Sequence, residues 1–215
     1  MRFYFPDVTY PDTLGIAALK RFLLRLSDKE MALVKAALAP SDVELDTTIP
    51  ACIDRHREAA RELIAEVEKI YGSAAESEYF TASKLRYEQY FATARDLSPG
   101  GRALEIGSAP GHVSIGLWLM GFAMTCVKLN ALYRSTYPSM EWRKRLNVIE
   151  RDFKKAPLPF PDCSFDVVFF TEVLEHVAIM PVIEVLHDIH RVCKPGATLV
   201  LSTPQCQQIS NIFAL

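Results

Sequence analysis

The first part of the chain shows the apolar spacing of helices. Between residues 50 and 71, apolar side chains recur every three or four positions, and charged side chains fill the positions between them. This spacing places the apolar groups on one helix face and the charges on the other. Capping patterns, such as the Ser-x-x-Glu sequence that begins at Ser27, mark where other helices start. Together these signals predict helices at about 12–26, 27–39, 50–71 and 83–96.

The pattern changes after the turn at residues 98–101, Ser-Pro-Gly-Gly. Short apolar runs rich in β-branched and aromatic residues then alternate with helical segments, as in a parallel sheet built by right-handed crossovers. The fold class predicted is therefore α/β: a Rossmann-like, doubly wound, mainly parallel sheet in residues 98–215, after a helical segment at 1–97. We expect strands at about 102–107, 123–129, 146–150, 165–170 and 197–203, and helices at about 111–121, 132–143, 181–193 and 206–214.

Composition and charge limit which binding partners and which cellular compartment are expected. Half of the 215 residues are apolar, and 24 basic and 26 acidic residues mix along the chain to give a net charge of −2. Such a surface does not favour binding to nucleic acid or to an anionic membrane. No apolar run is long enough to span a bilayer, and the start lacks the apolar core of a signal peptide. The five cysteines are scattered and odd in number, which favours a reducing, cytoplasmic location.

A glycine-rich turn follows the first strand of the predicted sheet. Glu105, Gly107, Ser108, Ala109 and Gly111 close that strand and open a helix, where a ligand must approach the backbone closely. The spacing differs from the Gly-x-Gly-x-x-Gly of dinucleotide-binding proteins. A carboxylate facing the pocket suits a ligand that carries an ammonium group and repels a pyrophosphate, which favours S-adenosylmethionine (SAM) over NAD. The alternative is that both glycines only form a tight turn.

Residues 98–215 resemble the class I SAM-dependent methyltransferases, in particular the group labelled type 11. Three segments carry the resemblance: LEIGSAPGH at 104–112, RDFKKAPLPFPDCSFDVVFFTEVLEHV at 151–177 and LHDIHRVCKPGATLVLSTP at 186–204. The resemblance implies a SAM-dependent methyltransferase in which the glycine turn holds the methionine part of SAM. Glu105, Gly107 and Gly111 match the family pattern, whereas Ala109 replaces its usual middle glycine.

The resemblance also assigns the other half of the cofactor. Asn130 stands where the family has an acid that binds the ribose hydroxyls, and its amide can still hydrogen-bond them but brings no charge. Asp152 and Phe153 match the pair that binds adenine, through a carboxylate to the exocyclic amine and a ring on the base. Asp152 could instead be an ordinary turn residue. Ser108 and Thr171, at the same edge of the sheet, complete the expected cofactor contacts.

Two carboxylates and a histidine follow the fourth strand of the predicted sheet. Glu172, Glu175 and His176 fall on one side if this segment is helical, an arrangement that could hold a divalent ion. A similar Glu-x-x-Glu-His binds magnesium or manganese in small-RNA 2′-O-methyltransferases and in ubiquinone-pathway O-methyltransferases. The interpretation adopted here is that the segment holds no metal and that these side chains form local hydrogen bonds. His176 is the candidate general base for a hydroxyl acceptor.

The acceptor is expected to be a small molecule or a glycan-type compound, methylated at oxygen, with its specificity in residues 1–97. Tyr79, Tyr87 and Tyr90 either cover the cofactor or acceptor or pack between the helices and the sheet. Members of the resembled family usually add an antiparallel strand pair after the fifth strand, which this sequence lacks. We therefore expect either that the chain is shortened at its C-terminus or that a homodimer covers this strand. The rival hypothesis is a catalytically silent, methyltransferase-like scaffold.

Overall fold

The structure is a computed structural model that describes residues 2–4, 44–45, 49–73, 78–97, 100–129, 137–174, 177 and 179–203. The helices are α1 (Ile49–Tyr71), α2 (Glu78–Arg95), α3 (His112–Leu119), α4 (Met140–Arg145) and α5 (Ile179–Val192). The strands are β1 (Arg2–Tyr4), β2 (Glu44–Leu45), β3 (Arg102–Ile106), β4 (Ala123–Lys128), β5 (Val148–Glu150), β6 (Phe165–Thr171) and β7 (Cys193–Ser202).

The strands form one sheet in the order β2-β1-β7-β6-β3-β4-β5, and each neighbouring pair is parallel. All five strands predicted from the sequence are present as β3 to β7, so the predicted α/β, mainly parallel architecture is confirmed. Chain direction is the same in every strand. The carboxyl ends of β3 and β6, which are direct neighbours, therefore lie side by side at one edge.

Both faces of the sheet are buried. Along β3 and β6, alternate residues belong to two separate apolar clusters, as the twofold repeat of a strand requires. Ala103 and Phe169 face the cluster that contains α1, α2 and α3, whereas Leu104 and Phe170 face the cluster that contains α5. A sheet covered on both faces explains why these strands read as unbroken apolar runs in the sequence.

The sequence analysis predicted that the N-terminal part of the chain is helical throughout. The structure shows helices there, and also two short strands. Helices α1 and α2 confirm two of its four predicted helices, while the predictions at 12–26 and 27–39 lie outside the described residues. Residues 2–4 and 44–45 are short strands of the same sheet. Because α1 and α2 also share an apolar core with β6, the predicted division near residue 97 marks a change of secondary structure and not a break in packing.

The outer side of β7 is covered by β1. Arg2 pairs with Thr198 and Tyr4 with Val200, in parallel register. The sequence analysis expected this side of the fifth strand to need a cover, and strand pairing from the N-terminus supplies one in place of a second chain. The predicted helix at 206–214 lies outside the described residues. None of the helices in the described ranges is both long and apolar enough to cross a bilayer.

Close packing between α2 and α3 depends on one glycine. A Cβ atom at Gly116 would lie 2.2 Å from Cζ of Phe91, a distance that real Cβ contacts do not reach. Phe91 is fully buried, so its ring has little room to move away. Gly116 therefore lets α2 approach α3 closely enough to reach the carboxyl edge of the sheet.

Replacing this glycine tests the contact. We expect Gly116→Ala to lower the free energy of unfolding by about 1–2 kcal/mol, because overpacking of the Phe91 ring outweighs the helix-propensity gain of about 1 kcal/mol. Equilibrium denaturation with urea measures this change. The matched variant is Phe91→Leu, which shortens the ring: in its background Gly116→Ala should cost less than in the wild type. A Gly116→Ala protein as stable as the wild type would contradict the packing argument.

Candidate cofactor-binding site

A small cavity lies at the carboxyl ends of β3 and β6, beneath α2. The glycine turn forms one wall, and polar and aromatic side chains of α2 form the other. Six of the residues predicted to contact the cofactor line this cavity: Glu105, Gly107, Ser108, Ala109, Gly111 and Thr171. The residues that α2 contributes are Tyr79, Ser83, Arg86, Tyr87 and Tyr90. The structure thus brings the predicted turn together with the N-terminal helical part.

The two glycines of the turn are needed for backbone shape and for close packing. Gly107 has φ of 83° and Gly111 has φ of 98°, in the left-handed region that side chains disfavour. A Cβ atom at Gly107 would lie 2.3 Å from Cγ2 of Val173, and one at Gly111 would lie 2.4 Å from the ring of Tyr137. The sequence analysis attributed the close approach to a ligand. In the structure, two side chains occupy the space that these glycines leave.

Glu105 is a buried acid at the end of β3. Its side chain accepts a hydrogen bond from the hydroxyl of Ser114, in the first turn of α3, and the Cys126 thiol donates in turn to that hydroxyl over 3.1 Å. Burial raises the pKa of Glu105 to about 7, and the Ser114 hydrogen bond offsets only part of this rise. Among the described residues Glu105 forms no ion pair. It is therefore a buried acid without a charged partner in the part of the chain that the structure describes.

Tyrosine hydroxyls fix the backbone of the turn. Tyr137 donates to the carbonyl of Ser108 over 3.1 Å, and the hydroxyls of the two residues lie 2.7 Å apart. Tyr71, the last residue of α1, donates to the carbonyl of Pro110 over 2.8 Å. Burial raises the pKa of both tyrosines well above the usual value, so both remain protonated donors. The turn is thereby held from α1 and from Tyr137, which precedes α4.

His112, the first residue of α3, packs against aromatic side chains of α1 and α2. Its Nδ1 forms a hydrogen bond of 2.8 Å with the hydroxyl of Tyr87, and its ring packs edge-on against Tyr71 and Phe80, with centroids 4.4 and 4.7 Å away. Burial lowers the pKa of His112 to about 4. The imidazole is therefore neutral at physiological pH and adds no positive charge beside Glu105.

An ion pair crosses the cavity from α2 to the end of β6. The guanidinium of Arg86 donates to one carboxylate oxygen of Glu172, and the hydroxyl of Ser202 donates to the other over 2.8 Å. Tyr90 donates to the same carboxylate over 3.3 Å and lies 2.6 Å from the Ser202 hydroxyl. The Glu172 carboxylate thus accepts hydrogen bonds from three side chains, two on α2 and one on β7.

The ion pair of Arg86 with Glu172 bears on the hypothesis that Glu172, Glu175 and His176 hold a divalent ion. Glu172 points to an arginine, which competes with a cation for the same oxygens, while Glu175 and His176 lie outside the described residues. In the part of the chain that the structure describes, no three acidic, histidine or cysteine side chains gather as metal ligands. Magnesium therefore finds no support here, and the role of His176 as a general base stays a prediction.

The two predicted adenine residues, Asp152 and Phe153, do not line this cavity. Asp152 accepts from the backbone N–H of Lys154 over 3.2 Å and pairs with Lys155. The ring of Phe153 is buried against Phe170 and borders a separate groove beside α5. Asn130 lies outside the described residues. The adenine assignment of Asp152 and Phe153 and the ribose assignment of Asn130 stay predictions.

The sequence analysis missed Arg86, Ser202, Tyr71 and Tyr137 as residues of the site. A helical signal was present for the first of these: Tyr79, Ser83, Arg86 and Tyr90 recur at three- and four-residue steps and so share one face of α2. That face is polar and aromatic on a helix whose other side is apolar. The other three residues come from distant parts of the chain and carry no local signal.

The raised pKa of Glu105 predicts a pH-dependent stability without ligand. The folded protein holds a proton on Glu105 up to about pH 7, whereas the unfolded chain releases it near the ordinary glutamate pKa of 4.5. Stability from this group is therefore full below pH 4.5 and is lost as the pH rises toward 7. We expect the unfolding free energy of Glu105→Gln to fall less than that of the wild type between about pH 5 and 8, by up to about 3 kcal/mol.

Urea denaturation at the two pH values measures this difference. Glu141→Gln, a substitution at an exposed side chain of α4, is the matched control and should keep the wild-type pH dependence. Parallel pH curves for Glu105→Gln and the wild type would show that Glu105 does not change its charge in this range.

Several known proteins are similar to this chain. Sterol 24-C-methyltransferase ERG6B of Gibberella zeae is 31% identical over 128 residues, which cover 57% of this chain and 32% of the relative. The chain thus spans about a third of that relative's length. Among solved structures, protein PH0226 of Pyrococcus horikoshii aligns with a TM-score of 0.49 and 22% identity over 61% of this chain and 60% of its own.

A SAM-dependent methyltransferase from Archaeoglobus fulgidus aligns with a TM-score of 0.47 and 22% identity, over 68% of this chain and 60% of its own. The family model described as "Methyltransferase domain" matches residues 104–201. This range begins in β3, includes the glycine turn and ends in β7, so it contains the sheet edge on which the cavity lies. Residues 104–201 are therefore similar to a methyltransferase domain.

Proposed function

We propose that this protein binds SAM at the carboxyl edge of its sheet and transfers the methyl group to a small-molecule or glycan-type acceptor. The observation that carries the proposal is the coincidence of the methyltransferase domain with a cavity that contains a buried acid without an ion-pair partner among the described residues. SAM carries an ammonium group and supplies a methyl group activated by a positively charged sulfur. Glu105 and the glycine turn fit such a cationic ligand.

The residues of the site would contribute binding and orientation. Glu105 would be ionised by a cation beside it, since an adjacent positive charge lowers the pKa of a carboxyl. The hydrogen bonds from Tyr71 and Tyr137 keep the turn rigid, so little order is lost when a ligand binds. Methyl transfer requires mainly that acceptor and methyl group be held in line, and a rigid turn serves that purpose.

The acceptor would contact the face of α2. Tyr79 is half exposed at the cavity, while Tyr87 and Tyr90 are buried in its wall. Aromatic side chains of this kind favour a compact organic acceptor over a charged polymer. Oxygen is the proposed methylated atom, with His176 as the base that removes the hydroxyl proton. The sterol named for the Gibberella relative makes carbon the alternative in an acceptor screen.

The rival hypothesis is a methyltransferase-like scaffold without turnover. It rests on Ala109 in place of a glycine and on Asn130 in place of an acid. Cofactor binding followed by turnover separates the two hypotheses. Location in the cytoplasm and formation of a homodimer stay predictions from the sequence.

Calorimetric titration with SAM and with S-adenosylhomocysteine is the first test. We expect saturable binding with one site per chain, and binding that strengthens about tenfold from pH 6 to pH 8 as Glu105 ionises. Glu105→Ala should lose the binding, whereas Glu141→Ala, at an exposed position on α4, should keep it. A folded wild type that binds neither compound would exclude the methyltransferase proposal. Binding without turnover on any acceptor class would favour the scaffold.

The residue at position 130 offers a gain-of-function test. Because the resembled family uses an acid to bind the ribose hydroxyls, Asn130→Asp should strengthen SAM binding by about 1 kcal/mol, the difference between a neutral and a charged hydrogen bond. Competition between SAM and adenosine measures whether the gain involves the ribose. Asn130→Ala is the matched loss variant, and equal affinities for all three proteins would remove Asn130 from the site.

A further inference from the structure

Glu172 has an unusual backbone conformation at the end of β6. Its φ is 55°, in the left-handed region that residues with a side chain rarely adopt. Such a conformation persists only where the surroundings hold it in place. Here the amide of Glu172 donates to the carbonyl of Ser202 over 3.0 Å, and its carboxylate is bound by Arg86, Ser202 and Tyr90. Arg86 is the only cation in this set.

The turn at Glu172 places the next residue against the glycine turn. Val173 is buried, and its Cγ2 occupies the space where Gly107 would carry a side chain. Gly107 in turn is anchored through its amide, which donates to the carbonyl of Val127 over 2.8 Å. Movement of Glu172 out of its left-handed conformation would therefore shift Val173 and release the packing on which the shape of the glycine turn depends.

Arg86 is well suited to hold Glu172 from outside the sheet. One arm of its guanidinium donates to Glu172 while another donates to Ser83 of the same helix over 2.8 Å. The bond to Ser83 fixes the planar group before it meets the carboxylate, so one orientation is preferred. The Arg86 side chain is 29% exposed and that of Glu172 is 15% exposed, which reduces the screening of their attraction by water.

We propose that Arg86 is a positioning residue for the cofactor, which acts through Glu172 and Val173 to fix the shape of the glycine turn. The proposal rests on the proposed function and assigns to α2 a part in cofactor binding that requires no contact with the cofactor. Helix α2 lies before the matched methyltransferase domain in the chain. It would therefore set the cofactor affinity of that domain from outside it.

A double-mutant cycle tests the route of this effect. Binding of S-adenosylhomocysteine is measured for the wild type, Arg86→Ala, Glu172→Gly and the double variant. Glycine at 172 removes the carboxylate and adopts a positive φ without strain. We expect Arg86→Ala to weaken binding about tenfold in the wild type and less than twofold in the Glu172→Gly background. If Arg86→Ala weakens binding equally in both backgrounds, Arg86 contacts the ligand directly and the proposal is overturned. The proposal is also overturned if Arg86→Ala does not weaken binding in the wild-type background.

Two further variants define what is lost. Arg86→Lys keeps the charge and should recover part of the affinity. Arg95→Ala, an exposed arginine at the end of the same helix, should bind like the wild type. A loss in Arg95→Ala equal to that in Arg86→Ala would assign the effect to α2 as a whole and contradict a specific role for Arg86.

Hydrogen exchange of the ligand-free protein separates this proposal from cofactor binding itself. In Arg86→Ala, the amides of Glu172 and Gly107 should exchange at least fivefold faster than in the wild type. Each of these amides donates a backbone hydrogen bond, and the ion pair of Arg86 with Glu172 keeps both bonds in place. Faster exchange confined to α2 would overturn the proposal. This result is obtained even if the wild type binds no SAM, so failure of the proposed function and failure of the positioning role are distinguished.

Discussion

The close contact between α2 and α3 is the constraint on which the site depends. Phe91 fits against Gly116 with no room for a side chain there, and this fit sets the distance between the two helices. Since residues one turn before Phe91 on α2 line the cavity, the same contact determines how far Tyr87 and Arg86 reach over the carboxyl edge of the sheet. An apolar contact in the core thus controls the placement of a hydroxyl and a charge in the wall of the cavity.

Burial has opposite effects on the two titrating groups that flank the glycine turn. At Glu105 it raises the pKa toward neutrality, and at His112 it lowers the pKa well below it. In the ligand-free protein both groups are therefore close to uncharged at mildly acidic pH. The site becomes negative only when Glu105 ionises, and a cationic ligand promotes that change. The local charge of the site is in this way coupled to what it binds.

The fold was largely predictable because its signals are local. Apolar runs and glycine turns identified β3 to β7, and the motif around Glu105 indicated the edge of the sheet at which the cavity lies. What could not be predicted depends on contacts distant in sequence. The pairing of Arg86 with Glu172 joins residues 86 positions apart, and no periodicity within α2 indicates its partner. The short strands β1 and β2 have too few residues to show a repeat.

The parallel pairing of β1 with β7 has a consequence for how the protein folds. Arg2 meets Thr198, so β1 pairs with a strand that lies far from it in the sequence. Contacts between such distant residues form slowly, because the loop that they close is long. On the ribosome, β3, β4 and β6 can pair before β7 emerges, and until then β1 has β2 as its partner. The side of β1 that pairs with β7 is therefore open during synthesis, and a chaperone that binds extended segments would find its target there.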